Sequence, residues 1–370
     1  MDFSTKVYTT KTLLDFINSD HFKHLKNYPI TKHRALSHIN NPRASADDKI
    51  LYITYYKKEI VGYRLIMVDE ISIDNQKEKI GWYSCVWVNP DYRGKGIAKN
   101  LVQHSLKDWD NKIIFQGPVK ESQNLYYSTG VFNKSTIEGF RGYARFDSCN
   151  IIKAKFPALK PISFLFKVID GIFNLLGDLI LKSKLSANTI NNDLVKVVSD
   201  VDDETNTFIH TQHNNNLFKR SKKDINWILK YPWIIQQDYL DDVSKNYYFS
   251  SVADKFEYIN VKFLNDNKAV AGFVIYQIRG EHLSIQYAAF KNEQIEQVIS
   301  MTKALIKTHK INFFSTFDKR LTTYFNKKSS PFLFKKSILR DFYYSKNFEH
   351  YLTENPNLSF DGGDGDMIFT

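Results

Sequence analysis

Cysteine is nearly absent: Cys85 and Cys149 are the only two in 370 residues. That is too few for a disulfide framework, and their spacing suits no metal, so a reducing compartment and no metal site are expected. Met1 to Lys11 holds no apolar stretch of signal-peptide type, and the expected location is cytoplasmic. A membrane span needs about 20 residues largely free of charge. The longest apolar stretch, Pro161 to Lys184, is interrupted by Lys167, Asp170 and Asp178, which excludes a span there. Acid is in deficit, with 40 Asp and Glu against 51 Lys and Arg and a formal net charge of +11. The balance points to an anionic partner, whether a phosphorylated cofactor, nucleic acid, an acidic glycan or a membrane surface, and charge does not choose among them.

What is present is an ordinary globular mixture, 43% hydrophobic and 25% charged, long enough for two cores. Aromatic residues reach 15% and fall in short alternating runs, which favours sheet over helical bundle. Apolar residues from Leu13 to Leu25 recur at helical spacing. Ile50 to Tyr56 and Ile60 to Val68 read as a hairpin, and Trp82 to Val88 as a third strand stopped by Asn89 and Pro90. A glycine-bearing turn from Arg93 to Gly96 leads into a helix carrying Ile97, Leu101, Val102, Leu106 and Trp109. A strand at Lys112 to Phe115, a short helix at Glu121 to Ser128 and closing strands from Val131 to Phe146 complete a mixed α/β layer.

Along Pro161 to Lys184, the residues Ser163, Lys167, Asp170, Asn174, Asp178 and Lys182 trace one narrow polar stripe. The expectation is an apolar linker helix within 151–190, packed against both domains; peripheral membrane contact through 161–184 is the other reading. Beyond Asn191 the pattern starts again. Lys58 to Ile66 reads KEIVGYRLI and Lys268 to Tyr276 reads KAVAGFVIY. Strands at Phe256 to Leu264, Ala269 to Ile278 and Leu283 to Ala289, a helix at Gln294 to Lys307 and a strand at Ile311 to Thr316 repeat the first order. The chain is therefore divided into a domain at 1–150, a linker at 151–190 and a second domain at 191–370.

The segment Val86 to Leu101, VWVNPDYRGKGIAKNL, carries the chemistry. A helix begins with unpaired N–H groups and the positive end of its dipole, and Gly94 and Gly96 remove the Cβ atoms that would keep an anion from them. Arg93 and Lys95 add charge at the same place. A dinucleotide fingerprint fails for want of a third glycine, and a nucleotide P-loop for want of GK[ST]. The segment resembles the GNAT (GCN5-related N-acetyltransferase) superfamily, whose [QR]-x-x-G-x-[GA] loop is matched by Arg93, Gly96 and Ala98, with Tyr126, Gly130 and Phe132 following. The family's usual Y-x-x-x-G-F lacks the inserted Val131.

The resemblance implies acetyl-CoA as co-substrate, its diphosphate held by Arg93, Gly94, Lys95, Gly96, Ile97 and Ala98, and its pantetheine arm by the backbone of Val86, Trp87 and Val88. It implies direct attack of an amine on the thioester, with Tyr126 protonating the departing thiolate and Tyr127 its rival. Relatives often place a Glu on the strand before the loop. Trp82 to Cys85 holds none, so proton removal is expected through water, with Glu70, Glu78 and His104 read as surface residues and Cys85 as an inert buried thiol. His33 and Arg34 lie where relatives often admit the acceptor, or on ordinary surface.

The expected fold is α/β (α+β): two GNAT-like domains, each a mixed, mostly antiparallel sheet flanked by helices. The second has no glycine after Ala289, and Glu293 and Glu296 stand at the helix start, so it lacks the diphosphate loop. Asp361 to Asp366, DGGDGD, reads as a turn before a last strand, Met367 to Thr370. The expected function is transfer of acetyl to a small-molecule amine or an amino sugar, with no nucleic-acid partner and the oligomeric state open. The alternatives are an aminoacyl-tRNA-dependent transferase of the tandem type that builds peptidoglycan cross-bridges, and a non-catalytic CoA-binding or membrane-peripheral module.

Overall fold

The computed structural model describes residues 1–73, 76–118, 120–149, 152, 156–185, 193–212, 216–327, 332–355 and 358–370. They form two compact units, each drawing on several segments: 1–137, 200–256 and 340–370 make unit 1, and 138–199 with 257–339 make unit 2. The sequence reading divided the chain at 150 and 190 instead. Two long-range placements account for the difference: residues 200–256 pack within unit 1, and a late strand joins its sheet.

In unit 1 the strands β1 (Ser4–Thr9), β2 (Lys49–Tyr56), β3 (Glu59–Ile73) and β4 (Gln76–Val88) run antiparallel in that order. β5 (Ile113–Gln116) joins β4 in parallel, and residues 340–345 flank β5 on its far side. Helix α1 (Thr10–Asn18) starts on a capping box between Thr9 and Thr12 and buries Leu13, Phe16 and Ile17. Helix α2 (Lys32–Ile39) stands where a loop was expected, and Trp227 and Trp233 hold it. Their indole N–H groups donate to the Ser37 carbonyl at 2.8 Å and the Ser37 hydroxyl at 3.0 Å. Helix α3 (Ile97–Asp108) follows β4, and α4 (Lys120–Tyr127) follows β5.

A buried ion-pair group ties the late segments into unit 1. Arg43 lies between Asp69 and Asp224, its Nε 2.8 Å from the latter, and Arg220 reaches Asp69 at 3.5 Å. Arg43 holds the Asp224 carboxyl down at about 2 against the pull of burial. The C-terminal residues form a 3-10 turn, Gly365–Phe369, and not the strand expected there. Gly365, at φ +65°, lies flat on Trp82, where any Cβ would fall 1.9 Å from the indole.

Unit 2 has the strand order β6 (Phe132–Tyr143), β11 (Phe313–Thr316), β10 (His282–Phe290), β9 (Val270–Arg279), β8 (Phe256–Leu264), β7 (Val195–Val198), with residues 138–143 of β6 counted in it. The long helix α5 (Ser163–Leu185) comes before β7, and α8 (Ile295–Thr308) and α9 (Lys319–Lys327) flank β11 in sequence. In unit 1, α6 (Asp203–Gln212) and α7 (Lys222–Lys230) precede this second set of strands. The strand at residues 340–345 is the end of β12 (Phe334–Ser345), which sequence reading missed. Each unit is thus a mixed, mostly antiparallel sheet with helices on it, as the sequence implied.

The KEIVGYRLI and KAVAGFVIY segments fold alike. Gly62 pairs with Val88 and Gly272 with Phe290, each the last residue of its strand. The next amide, of Asn89 or Lys291, donates to the carbonyl just before the glycine. Lys58 and Lys268 both turn their hairpins at positive φ.

Helix α5 departs from expectation. Ser163, Asp170 and Asn174 of its polar stripe are turned to the protein while Lys167 is exposed: Asp170 accepts from the Ser148 hydroxyl and from the Cys149 amide at 2.9 Å, and Asn174 brackets the Phe146 backbone at 2.7 and 2.9 Å. Residues 151, 153–155 and 186–190 of the expected linker lie outside the described residues.

Candidate active site

β4 is a full partner of β3 but leaves β5 early. Only Gly81 and Trp82 pair with β5, so the strand from Tyr83 to Val88 has no ladder on that side. On the β3 side a bulge sets Ser84 and Cys85 opposite Leu65 alone. The Asn89 amide bonds to Val61, and the alternation of an antiparallel ladder then turns Trp87 toward Tyr63 and the amide and carbonyl groups of Val86 and Val88 toward the open edge. The result is a strand edge able to accept an extended, amide-bearing chain.

The strand ends in a 3-10 turn, Pro90–Tyr92, and the chain enters α3 through Gly94 (φ +76°) and Gly96 (φ +80°). Left-handed backbone is the reason both must be glycine. Nothing lies within 4 Å of where a Cβ would sit at either, and no side chain caps the helix. Its first amides and dipole therefore face an open surface that also carries the exposed Arg93 and Lys95. Ile97 plugs the loop into the core and Ala98 is half-buried. Beside the loop, between α3 and α4, lies a groove of about 540 Å³ lined by Lys99, Gln103, Lys107, Leu125, Ser128 and Thr129 among others.

On the α3 side of the sheet, Tyr126 is buried, its ring 4.5 Å from Phe115. Arg64, whose Cα stands opposite Val86, donates to the Tyr126 oxygen at 2.8 Å and lies 3.9 Å over the Tyr83 ring. Arg64 is itself buried, and its Nε has no partner among the described residues. Because the phenol oxygen accepts from a cation, its own proton remains to be donated. Tyr127 is exposed and shares a hydrogen bond of 2.9 Å with Tyr343, so the two neighbours occupy different settings.

The opposite side of β4 holds a polar group that sequence reading missed. Asp366 accepts from the Trp82 indole at 2.9 Å and from the Ser84 hydroxyl. Arg34 donates to Ser84 Oγ at 2.5 Å and to the Tyr247 hydroxyl at 3.1 Å, with its guanidinium 3.7 Å over Trp233. Arg34 is buried, not on ordinary surface, and is held charged by the Cys85, Tyr247 and Asp366 groups around it against the pull of burial. Ser84 and Asp366 remain half-exposed. The arrangement places a carboxylate beside the bulge, where β4 offers none of its own.

The other carboxylates and the thiol named from sequence are elsewhere engaged. Glu70 pairs with Lys77 at 2.8 Å and Glu78 with Lys112 at 2.6 Å, while His104 stands edge-on to Tyr52. Burial pushes the Cys85 thiol up, which suits an unreactive sulfur. Among the described residues no three His, Cys, Asp or Glu are gathered as for a metal ion.

Unit 2 opens its sheet in the same manner. β10 pairs with β11 only from His282 to Ser284, and a bulge at Gln286 lies opposite β9. Its exit differs: Lys291 and a 3-10 turn, Asn292–Gln294, lead into α8 without glycine, and Gln294 is buried at the helix start. Arg320 donates to the Phe290 carbonyl at 2.6 Å and lies 3.6 Å over its ring.

Residues 13–126 match the family model described as Acetyltransferase (GNAT) family. No curated protein sequence matches the chain. Among solved structures, a conserved protein of unknown function from Enterococcus faecalis, described as a probable N-acyltransferase, superposes with a TM-score of 0.53 at 10% identity, over 96% of this chain and 75% of that one. A GCN5-related N-acetyltransferase from Anabaena variabilis aligns over 92% of this chain and 72% of its own, with a TM-score of 0.49 at 10% identity. The Enterococcus likeness shows a shared fold.

Proposed function

We propose that the chain, of which residues 13–126 match the Acetyltransferase (GNAT) family model, is an acyl-coenzyme A-dependent N-acyltransferase, with acetyl-CoA as donor and a primary amine of a small molecule or amino sugar as acceptor. The observation that carries this reading is the uncapped α3 start behind two left-handed, unobstructed glycines, next to a strand edge with unused backbone groups. The donor supplies an activated thioester carbonyl; everything else is done by the chain. The amides of Gly94 to Ala98, with Arg93 and Lys95, hold the diphosphate. Lys99 and Lys107 give the adjoining groove a positive lining suited to the phosphorylated nucleotide end. Backbone groups of Val86 and Val88 orient the pantetheine amides and leave an N–H for the developing oxyanion.

Three side chains move protons. The Tyr126 hydroxyl, its oxygen held by Arg64, gives its proton to the leaving sulfur. Ser84 Oγ takes the proton of the attacking amine and passes its own to Asp366, to which it already donates. Arg34, donating to the same oxygen, stabilises the alkoxide character that develops there. This gives the reaction a base without a carboxylate on β4.

The test is a thermal-shift titration with acetyl-CoA followed by thiol release against a panel of amines and amino sugars. Stabilisation with turnover on at least one amine is expected. A protein that acetyl-CoA does not stabilise has no donor site, and the reading fails.

A further inference from the structure

Helix α5 carries its apolar residues outward. Phe164, Val168 and Ile172 are 61, 58 and 55% exposed and Leu175 70%, with Leu165, Ile169 and Phe173 close behind. Ser163 and Asp170 are buried instead. An ordinary surface helix does the reverse, because its apolar stripe is what anchors it. Here the anchor is a set of hydrogen bonds between Asp170 or Asn174 and the Phe146 to Cys149 backbone and Ser148 side chain, while the apolar side is left exposed apart from the Phe146 ring, 5.4 Å from that of Phe173. Seven half-exposed large side chains on one helix make a patch of several hundred Å², at or above what a monomer leaves open without using it.

We propose that this face lies in the interfacial layer of an anionic lipid bilayer, with α5 parallel to the membrane plane. Three observations select this occupant. The exposed apolar side chains run from Phe164 to Leu175, a surface roughly 17 Å long on a helix, which matches no pocket-sized ligand. No helix of the described residues is long and apolar enough to cross a membrane, so the contact is with the surface. The sequence from Lys153 to Lys184 carries six lysines, at 153, 155, 160, 167, 182 and 184, against two aspartates, at 170 and 178. One of those, Asp170, is turned inward. A basic segment that includes a helix with an apolar face is attracted to acidic headgroups before it buries its side chains. The inference stands apart from the acyltransfer reading, since it uses no residue of that site.

Co-sedimentation of the full chain with phosphatidylcholine vesicles containing about 30 mol% phosphatidylglycerol tests it. The protein is expected in the pellet, at least about tenfold more than with phosphatidylcholine alone, and Ile172→Glu is expected to return it to the supernatant with its melting temperature unchanged. Val168→Trp supplies a second measurement that needs no loss of binding: its emission shifts to the blue on adding anionic vesicles. Failure to pellet with anionic vesicles, or no shift from Val168→Trp, overturns the proposal. So does a dimer in vesicle-free solution that Ile172→Glu dissociates, because the face is then covered by a second copy of the chain.

Discussion

Unit 1 and unit 2 open their sheets by the same device and end the opened strand differently. In both, a hairpin glycine pairs with the last residue of the strand, the next amide bonds back to the residue before that glycine, and a bulge precedes the splay. The gap at the strand edge is therefore a property of the fold. The proposed anion site is a property of four residues added to it, Arg93 to Gly96. Where unit 1 presents bare amides, unit 2 places a buried Gln294 and the acidic Glu293 and Glu296, and an arginine, Arg320, occupies the carbonyl at its strand end. The inside of the gap differs as well: Arg64, which bonds to Tyr126 and stacks on Tyr83, stands where the aligned segment has Val274.

The largest effect should come from making the loop of unit 1 resemble that of unit 2. Gly96→Glu puts a carboxylate at the helix start and forces a side chain into left-handed backbone, a strain of about 1 kcal/mol in a site with no steric obstruction. The protein stays folded and acetyl-CoA binding falls by at least about 100-fold, roughly the effect of lost phosphate contacts and like-charge repulsion together. Calorimetric titration of the unaltered chain should give one donor site per chain. Two sites would erase the distinction between the units, and unchanged affinity in the variant would remove the loop from the site.

Next in size is the proposed proton acceptor. Asp366→Asn can keep its bonds to Trp82 and Ser84 but cannot hold a proton, so kcat is expected to drop about 100-fold with donor affinity unaltered. Ser84→Ala should do the same. Losses confined to KM for the amine would mean that these residues bind the acceptor and do not accept its proton. Tyr126→Phe removes only the phenolic proton and oxygen, and a water can stand in as donor; a decrease in kcat of about tenfold is expected. An unaffected kcat would leave Tyr126 as packing for Phe115 and Arg64.

The difference between the loop and the proton acceptor also marks how far the sequence could be read. The loop was legible because everything it needs is contiguous: strand, Pro90, two glycines, helix. The hairpin repeat was legible for the same reason, down to the matched Lys58 and Lys268. Asp366 was not, since it reaches Ser84 across 282 positions, and its DGGDGD segment reads locally as a turn. Arg34 was named, but its bond to Tyr247, 213 positions away, was hidden in the same way, and no periodicity announces that residues 200–256 would hold α2. Helix α5 is a subtler case. Spacing placed Ser163, Asp170 and Asn174 on one stripe, but a stripe does not say which side is inside. That was decided by the unpaired backbone at Phe146 and Cys149, which needed polar partners more than the core needed leucines.

The smallest effect concerns what holds the missed residues in place. Asp224 joins Arg43, which also contacts Asp69, and so fastens the 200–256 segment to the N-terminal sheet of unit 1. Its carboxyl titrates at about 2 against about 3.9 in an unfolded chain. A group depressed by folding contributes stability above its unfolded value and loses it as pH falls toward the folded one. Asp224→Asn should therefore cost unit 1 about 2 kcal/mol at neutral pH, and scanning calorimetry should find that cost shrinking between about pH 4 and pH 2. The unfolding of unit 2, which contains neither residue, should keep its temperature. A variant whose deficit persists undiminished at pH 2 would show that Asp224 acts through packing and its bonds to Ser221 and not through its charge on Arg43.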